Sequence, residues 1–273
     1  MSEEQVIGSH QDAPITQSRI AADLRALGMV PGMAVLVHTS LSALGWVCGG
    51  AVAVILALEE VVESYGNVMM PSHSGDLSDP ASWANPPVPE SWWDEIRRTM
   101  PAYDPELTPT RGIGVVPEVF RKQADTVRSA HPTVSFAAWG EGAVDLICNH
   151  ALSYSLGEES PLAKLYDTDG WVLLLGAGFD ANTSFHLAEY RADYTTRETV
   201  HLGAPVTVAG HRRWRTYDDI NYNSDDFEAI GDAFLHRHAR EVSTGLVGHA
   251  EARLFPQRLC VDFAVDWMER HRR

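Results

Sequence analysis

Residues 171–190 read WVLLLGAGFDANTSFHLAEY, and this stretch decides the predicted fold. It opens with an unbroken apolar run over 171–175, which is typical of a sheet strand covered on both faces. Glycines follow at positions 176 and 178. Because open α/β folds form their ligand crevice at the carboxyl ends of such strands, the segment after Gly178 is predicted to face a ligand.

The segment SFHLAEYRA, residues 184–192, predicts a helix for which Asp180 or Asn182 supplies the cap. On this helix His186 and Glu189 are three residues apart and therefore share one face. An imidazole can act as a base near neutral pH, and a neighbouring carboxylate can fix its tautomer. The same spacing also occurs in ordinary surface pairs, so spacing alone leaves both interpretations open.

Composition narrows the class of protein. The chain has 273 residues, of which 45% are hydrophobic, and a net charge of −16. No stretch approaches 18 unbroken apolar residues, so a soluble globular protein is expected. The acidic surface would repel nucleic acid and anionic lipid and attract a cationic ligand, although it also serves solubility alone. Three cysteines without metal-binding spacing and a start, MSEEQVIGSHQDAP, without a secretory pattern favour the cytoplasm.

Strand and helix patterns alternate along the chain. A helix is predicted at 16–28 between a capping threonine and a terminal glycine, followed by a strand at 34–40 and a helix at 49–66. The further predicted elements are a strand at 67–71, a helix at 114–124, a strand within 127–140, a helix at 141–150, strands at 171–178 and 211–220, and helices at 225–239 and 260–271. This alternation favours an α/β fold.

We expect one domain spanning residues 1–273, interrupted by a loop-rich insertion at about 71–110. A loop of this length in a compact domain is uncommon unless it covers a binding site. Its three tryptophans, at positions 83, 92 and 93, also fit a surface insertion that they pack internally.

Three other stretches carry polar groups at predicted element ends. VHTSLSALG, residues 37–45, offers a seat for a phosphate or is an ordinary strand-to-helix turn. RSAHPTVSF, residues 128–136, combines an arginine and a histidine before a proline, or is simply a turn into a strand. TYDDINYNSDD, residues 216–226, concentrates carboxylates that could bind a cation or form a solvated loop.

Together these motifs resemble a known family. HTSLSALG, TPTRGIG, RSAHPTVSF, ESPLAKLYDTDGWVLLLGAG and DANTSFHLAE occur in the order and spacing of the aminoglycoside 3-N-acetyltransferases, and the resemblance covers about residues 18–254. GFDANTSFHLAE and VGHAEARLF are most similar to the apramycin-acetylating branch. The resemblance implies a three-layer α/β fold with a mainly parallel central sheet and a smaller subsidiary lobe, distinct from the common GNAT fold.

The activity implied by the resemblance is transfer of an acetyl group from acetyl-CoA to an aminoglycoside amine, usually the 3-amino group of the 2-deoxystreptamine ring, conferring resistance. His186 would be the general base, and Glu189 would orient the helix or the imidazole. The implied coenzyme contacts are His38, Thr39, Ser40, Leu41, Ser42, Leu44, Gly45, Thr110, Arg128, Ser129, His131, Ser135 and Phe136. The carboxylates implied to bind substrate are Asp76, Asp180 and Asp219, with Asp218 and Asp225 as alternatives to Asp219.

No cysteine lies in these motifs, so direct transfer in a ternary complex is favoured over an acyl-enzyme. We expect acetyl-CoA as cosubstrate, no metal, and a monomer or homodimer. Three alternatives remain open: a family member acting on a non-antibiotic amine, a protein that only sequesters a cation, and a metal hydrolase. The last would use His73, Asp76, His186 and Glu189 as ligands, although no HExxH spacing is present.

Overall fold

The computed structural model describes residues 13–273. Its strands are β1 Ala34–Thr39, β2 Asn67–Pro71, β3 Val127–Arg128, β4 Phe136–Gly140, β5 Trp171–Leu175, β6 Thr199–Val208, β7 His211–Ile220, β8 Ser243–Val247 and β9 Ala250–Pro256. Its α-helices are α1 Gln17–Leu27, α2 Gly50–Val62, α3 Trp93–Thr99, α4 Val115–Phe120, α5 Ala143–Ile147, α6 Pro161–Asp167, α7 Ser184–Arg191, α8 Phe227–Arg237 and α9 Gln257–His271. The expectation that the start of the chain carries no secretory signal lies mostly outside these residues.

Local sequence signals explain where the first elements begin and end. Thr16 caps α1 by accepting the amide of Arg19 at 3.2 Å, and Gly28 ends the helix in a left-handed conformation with φ 111°. β1 then leads through a short 3-10 turn, Leu41–Leu44, into α2. This strand–turn–helix unit is the one that the sequence predicts.

Seven strands form the central sheet in the order β3-β4-β2-β1-β5-β9-β8. β1 pairs in parallel with both β2 and β5, and the outer neighbours pair antiparallel. As a result β1, β2, β3, β5 and β8 run in one direction, and β4 and β9 run in the other. The predicted α/β class with a mainly parallel sheet is confirmed.

Alternate residues of each central strand bury against opposite layers of helices. In β1, Val35 and Val37 pack in the core under α1, α2 and α4, whereas Leu36 belongs to the core under α5 to α9. All three side chains are inaccessible to solvent. The sheet is therefore the middle of three layers, and only its strand ends are open to a ligand.

Several elements differ from their predicted bounds. The strand expected within 127–140 is a hairpin, because 129–135 leave the strand and the chain returns antiparallel as β4. The helices expected at 114–124 and 141–150 are shorter, as α4 and α5. β6 and β7 form a separate two-stranded sheet, and only β7 was predicted. The insertion carries α3 and short 3-10 turns.

Within 13–273, no helix is both long enough and apolar enough to cross a membrane.

Candidate functional site

A groove of about 970 Å³ opens at the carboxyl ends of β1, β2 and β5. This is the place where the sequence predicts a ligand crevice. The groove is lined by residues 37–42, 45–47, 50, 71, 73, 112–115, 117, 176–178, 180, 181 and 183. Its walls therefore combine the turn after β1, the ends of β2 and β5, and the segment that leads into α4.

The turn after β1 is held against the end of β5. The amide of Ser40 donates to the carbonyl of Leu175 at 3.0 Å. Gly176, with φ 67°, is needed here because a Cβ at this position would lie 2.6 Å from the Cβ of Ala43. The glycine after the apolar strand thus lets two lining segments approach closely.

A histidine–glutamate pair stands on α7, beside the groove. Nδ1 of His186 lies 2.6 Å from Oε2 of Glu189. Because an ionised carboxylate can only accept, this geometry assigns a proton to Nδ1, and in the neutral form of this tautomer the lone pair is on Nε2. Nε2 has no hydrogen-bond partner among the described residues. The predicted helix is present as α7, but neither predicted residue is its N-cap, which is Thr183. Asn182 accepts the amide of Ser184, and Asp180 lies in the preceding 3-10 turn.

The imidazole is held on its sides as well. Its ring centroid lies 4.9 Å from the rings of Tyr222 and Phe227. The His186 side chain is 13% exposed and that of Glu189 is fully buried. Residue 186 is not itself a lining residue; it follows Thr183, which lines the groove, by one helical turn, and its amide donates to the Thr183 carbonyl at 3.0 Å.

Two more imidazoles line the groove near this pair. Burial and, to a smaller extent, the electrostatic effect of His186 together lower the pKa of His38 to about 3. Burial likewise lowers the pKa of His73 to about 3, with smaller contributions from His186 and His38. Both are neutral at pH 7, so neither places a positive charge where a cationic acceptor would enter. Nε2 of His73 is buried without a hydrogen-bond partner in the described part of the chain.

The predicted coenzyme contacts divide into two groups. The lining residues are His38, Thr39, Ser40, Leu41, Ser42 and Gly45. Leu44 is buried in the core beneath the turn, and the Thr110 side chain donates to Glu118 at 2.7 Å. Neither of these two side chains lines the groove.

The remaining predicted contacts lie inside the fold. Arg128 donates to backbone carbonyls including that of Ser72, and its Nε donates to Ser135 Oγ at 3.0 Å. Phe136 is fully buried. The side chains of Arg128, Ser129, His131, Ser135 and Phe136 are buried and do not line this groove, and their contact with the coenzyme stays a prediction. They anchor the segment that carries His73.

Ser129 and His131 belong to the same buried network. Ser129 Oγ bonds to Nδ1 of His150 at 2.9 Å and accepts the amide of Phe136. Nδ1 of His131 accepts the amide of Val134 at 3.1 Å. These contacts shape the β3–β4 turn rather than a ligand surface.

The carboxylates predicted to bind substrate differ in exposure and in their partners. Asp180 and Asp225 are exposed, and Asp180 lines the groove. Asp76 is exposed in an ion pair with Arg111, and Asp218 is exposed in a pair with His201. Asp219 is fully buried and accepts from Ser155 and from the Tyr190 hydroxyl. Both Asp219 oxygens therefore have partners within the fold, and its contact with substrate stays a prediction.

Two features of the site were not predicted as parts of it. His73 was considered only as a metal ligand, although its position directly after β2 could have placed it in the groove. Arg272 contacts Glu189 from the end of the chain, and no local pattern connects residues so distant in sequence. No group of three or more His, Cys, Asp or Glu residues within 13–273 could hold a metal ion, so the four alternative metal ligands do not converge.

A central sheet between two helix layers, with a groove and a histidine–glutamate pair at its strand ends, is an arrangement found in α/β enzymes. Over residues 36–269 the chain matches the family described as aminoglycoside 3-N-acetyltransferase. The chain belongs to this family, and the predicted acyltransferase class is confirmed by the names of its relatives.

One relative is the SPbeta prophage-derived aminoglycoside N(3')-acetyltransferase-like protein YokD of Bacillus subtilis strain 168. The two chains are 50% identical over 255 residues, which cover 93% of this chain and 92% of YokD. The crystal structure of YokD superposes with a TM-score of 0.95 at 48% identity, covering 98% of each chain.

Other relatives carry more specific descriptions. Aminoglycoside N(3)-acetyltransferase VII of Streptomyces paromomycinus is 38% identical over 283 residues, covering 98% of this chain and 96% of that protein. A solved structure described as AAC-IIIb binary with CoASH has a TM-score of 0.84 at 32% identity, covering 94% of this chain and 97% of the other.

Proposed function

We propose that the protein transfers the acetyl group of acetyl-CoA to the 3-amino group of the 2-deoxystreptamine ring of an aminoglycoside, with His186 as general base. The observation that carries the proposal is the His186–Glu189 pair, fixed through Nδ1 with Nε2 unbonded, beside a groove at the ends of three parallel strands. Family membership supports the reaction class, and the relative described with CoASH supports the cosubstrate.

The tautomer of His186 determines which atom takes up and returns the proton during the reaction. An acceptor that arrives as an ammonium first loses one proton to solvent, because a protonated nitrogen cannot attack a thioester. As the amine nitrogen bonds to the thioester carbon, Nε2 takes a second proton. The C–S bond then breaks, and the imidazolium returns this proton to the leaving thiolate. The products are the amide, free coenzyme thiol and regenerated imidazole, and Glu189 stabilises the transient imidazolium throughout.

The turn after β1 is the proposed coenzyme seat. Thr39 Oγ1 is buried in the wall of the groove and has no hydrogen-bond partner among the described residues. A buried hydroxyl without a partner costs free energy unless a ligand satisfies it. Thr39 to Ser42 would contact the coenzyme, and the Ser40 turn or a nearby hydroxyl would stabilise the developing oxyanion. No cysteine lines the groove within the described chain, which supports direct transfer in a ternary complex.

A polycationic acceptor suits the electrostatics. The chain carries a net charge of −16, and the exposed carboxylate of Asp180 lines the groove. Such a field raises the encounter rate with cations. Because His38 and His73 are neutral, they do not oppose the approach.

The first test replaces the base. We expect His186→Ala to lower kcat by about 10²-fold or more, since positioned proton transfer contributes on the order of 10²–10⁴. Coenzyme A binding, followed by calorimetry, should survive because residue 186 does not line the groove. Release of coenzyme thiol measures turnover, and His236→Ala, an exposed histidine on α8, is the matched control. Wild-type turnover in His186→Ala would exclude His186 as the base.

The acceptor is identified by a screen with the same thiol assay. Apramycin and gentamicin-type aminoglycosides are offered beside simple polyamines and monoamines. Mass spectrometry of the product locates the acetyl group on the ring. If only simple amines are acetylated, the acceptor is a non-antibiotic amine rather than an aminoglycoside. The proposed acetyl transfer with His186 as base would still stand.

A further inference from the structure

The penultimate residue of the chain reaches the histidine–glutamate pair. α9 ends at His271, and the next residue, Arg272, turns its guanidinium inward, where its side chain is only 11% exposed. Nη1 lies 2.6 Å from Oε1 of Glu189. The other guanidinium nitrogens donate to both oxygens of Asp226, at 2.8 and 2.6 Å, and to the carbonyl of Asn223 at 2.8 Å. One side chain thus joins the end of the chain to α7 and to the start of α8.

Glu189 depends on this contact because its carboxylate is fully buried. Oε2 accepts from His186, and Oε1 accepts from Arg272 and from the amide of Asn223 at 2.8 Å. Arg272 is the one cation bonded to Glu189 in the described chain that stays charged through the catalytic cycle. A buried carboxylate without a compensating charge would take up a proton or lose its geometry.

We propose that Arg272 is a positioning residue: it keeps Glu189 ionised and in place, and through Glu189 it orients His186. The inference rests on the proposed function, since it assigns no new reaction. Arg272 is not a catalytic residue, because the contacts of its guanidinium are with Glu189, Asp226, Asn223 and the ring of Tyr194.

Removal of Arg272 should move the pH dependence of kcat/KM in one direction. The titratable and charged groups that face the pair are His38, His73, Tyr194, Tyr222, Asp226 and Arg272. Among them Arg272 is the permanent cation, and its charge disfavours any added proton on the pair. Its removal therefore strengthens proton binding by the pair, whichever of the two residues takes the proton. The acid limb of the kcat/KM profile should move to higher pH, by about one unit or more.

The experiment compares Arg272→Ala, Arg272→Lys and a chain that ends at His271. Arg270→Ala is the matched control, because Arg270 is exposed on the same helix end and, among residues 13–273, pairs with Asp266 alone. For Arg272→Ala and the shortened chain we expect kcat to fall by roughly 10- to 100-fold, as loss of an outer hydrogen-bond partner typically does. The acid limb should move upward in both, and Arg272→Lys should keep it closer to wild type.

A chemical test separates positioning from a loss of packing. Added guanidinium should restore part of the turnover of Arg272→Ala and none of that of His186→Ala. If Arg272→Ala does not fold in a thermal unfolding experiment, Arg272→Gln gives the same test with less loss of volume. An unmoved acid limb without guanidinium rescue would overturn the inference, even if kcat falls. The proposed function fails separately, when His186→Ala retains turnover.

Discussion

At the scale of single residues, the proposed mechanism depends on the hydrogen bonds that the two carboxylate oxygens of Glu189 accept. Oε2 of Glu189 accepts from His186, and Oε1 accepts from Arg272 and from the amide of Asn223. The first contact assigns a proton to Nδ1 of the imidazole, and the second places the positive charge of Arg272 against the buried carboxylate. Neither contact is available to a surface pair with the same spacing, so burial of Glu189 distinguishes this pair from that ordinary alternative.

Replacing Glu189 by Gln tests this division. The amide leaves the volume nearly unchanged but cannot stabilise an imidazolium, so kcat should fall by about 10²- to 10⁴-fold. Loss of the negative charge should also move the acid limb of kcat/KM to lower pH, opposite to Arg272→Ala. Glu158→Gln is the control, because exposed Glu158 pairs with Arg191, which lies on α7 together with Glu189. It should change neither kcat nor the position of the acid limb. If the acid limb of kcat/KM moved in the same direction in Glu189→Gln and in Arg272→Ala, the charges assigned to Glu189 and Arg272 would be contradicted.

At the scale of elements, continuous or periodic apolar patterns were sufficient to predict the strands and helices that build the site. β5 and α7 follow from an apolar run, glycines and helical spacing, and α7 brings His186 and Glu189 into contact on one helix face. The hairpin at 127–140 was not predicted, because its turn also depends on contacts with a later segment: Ser129 bonds to His150, and His131 bonds to the carbonyl of Leu152. β6 was missed, and it pairs with β7 outside the central sheet.

The same limit applies to the site. Residues that line the groove at strand ends, such as Thr39 and Ser40, could be predicted from their place in the motif. The burial of Arg128 and Asp219 could not be predicted, because only the packed structure shows that their polar groups bond within the protein. Arg272 lies 83 residues from Glu189 along the chain, so no sequence spacing indicates the contact.

At the scale of the whole molecule, the fold buries histidines in their neutral form. Burial lowers the pKa of His38, His73 and His150 to about 3 and that of His131 to about 4, from an ordinary 6.5. Two of these line the groove, and two hold the β3–β4 turn against the loop that contains Leu152 and Ser155. The site and its support therefore lose stability together in acid.

We expect the free energy of unfolding to fall as pH drops below 6.5. The unfolded chain binds protons at these histidines near pH 6.5, whereas the folded chain does not until pH 3 to 4. Each histidine therefore removes up to about 1.4 kcal/mol per pH unit across this window. Urea unfolding at pH 7 and pH 5 measures the slope. His131→Asn should reduce it by one histidine's share, and exposed His236→Asn should not; equal slopes in both variants would contradict the assignment.

The central claim is that Nε2 of His186 meets the acceptor nitrogen at the thioester. The most direct measurement is a crystal structure of the protein with coenzyme A and the acceptor found in the screen. We predict the reacting nitrogen within hydrogen-bond reach of Nε2, at about 3 Å or through a single water, with the coenzyme sulfur near Thr39. An acceptor nitrogen bound elsewhere, with Nε2 facing only protein or bulk solvent, would contradict the account.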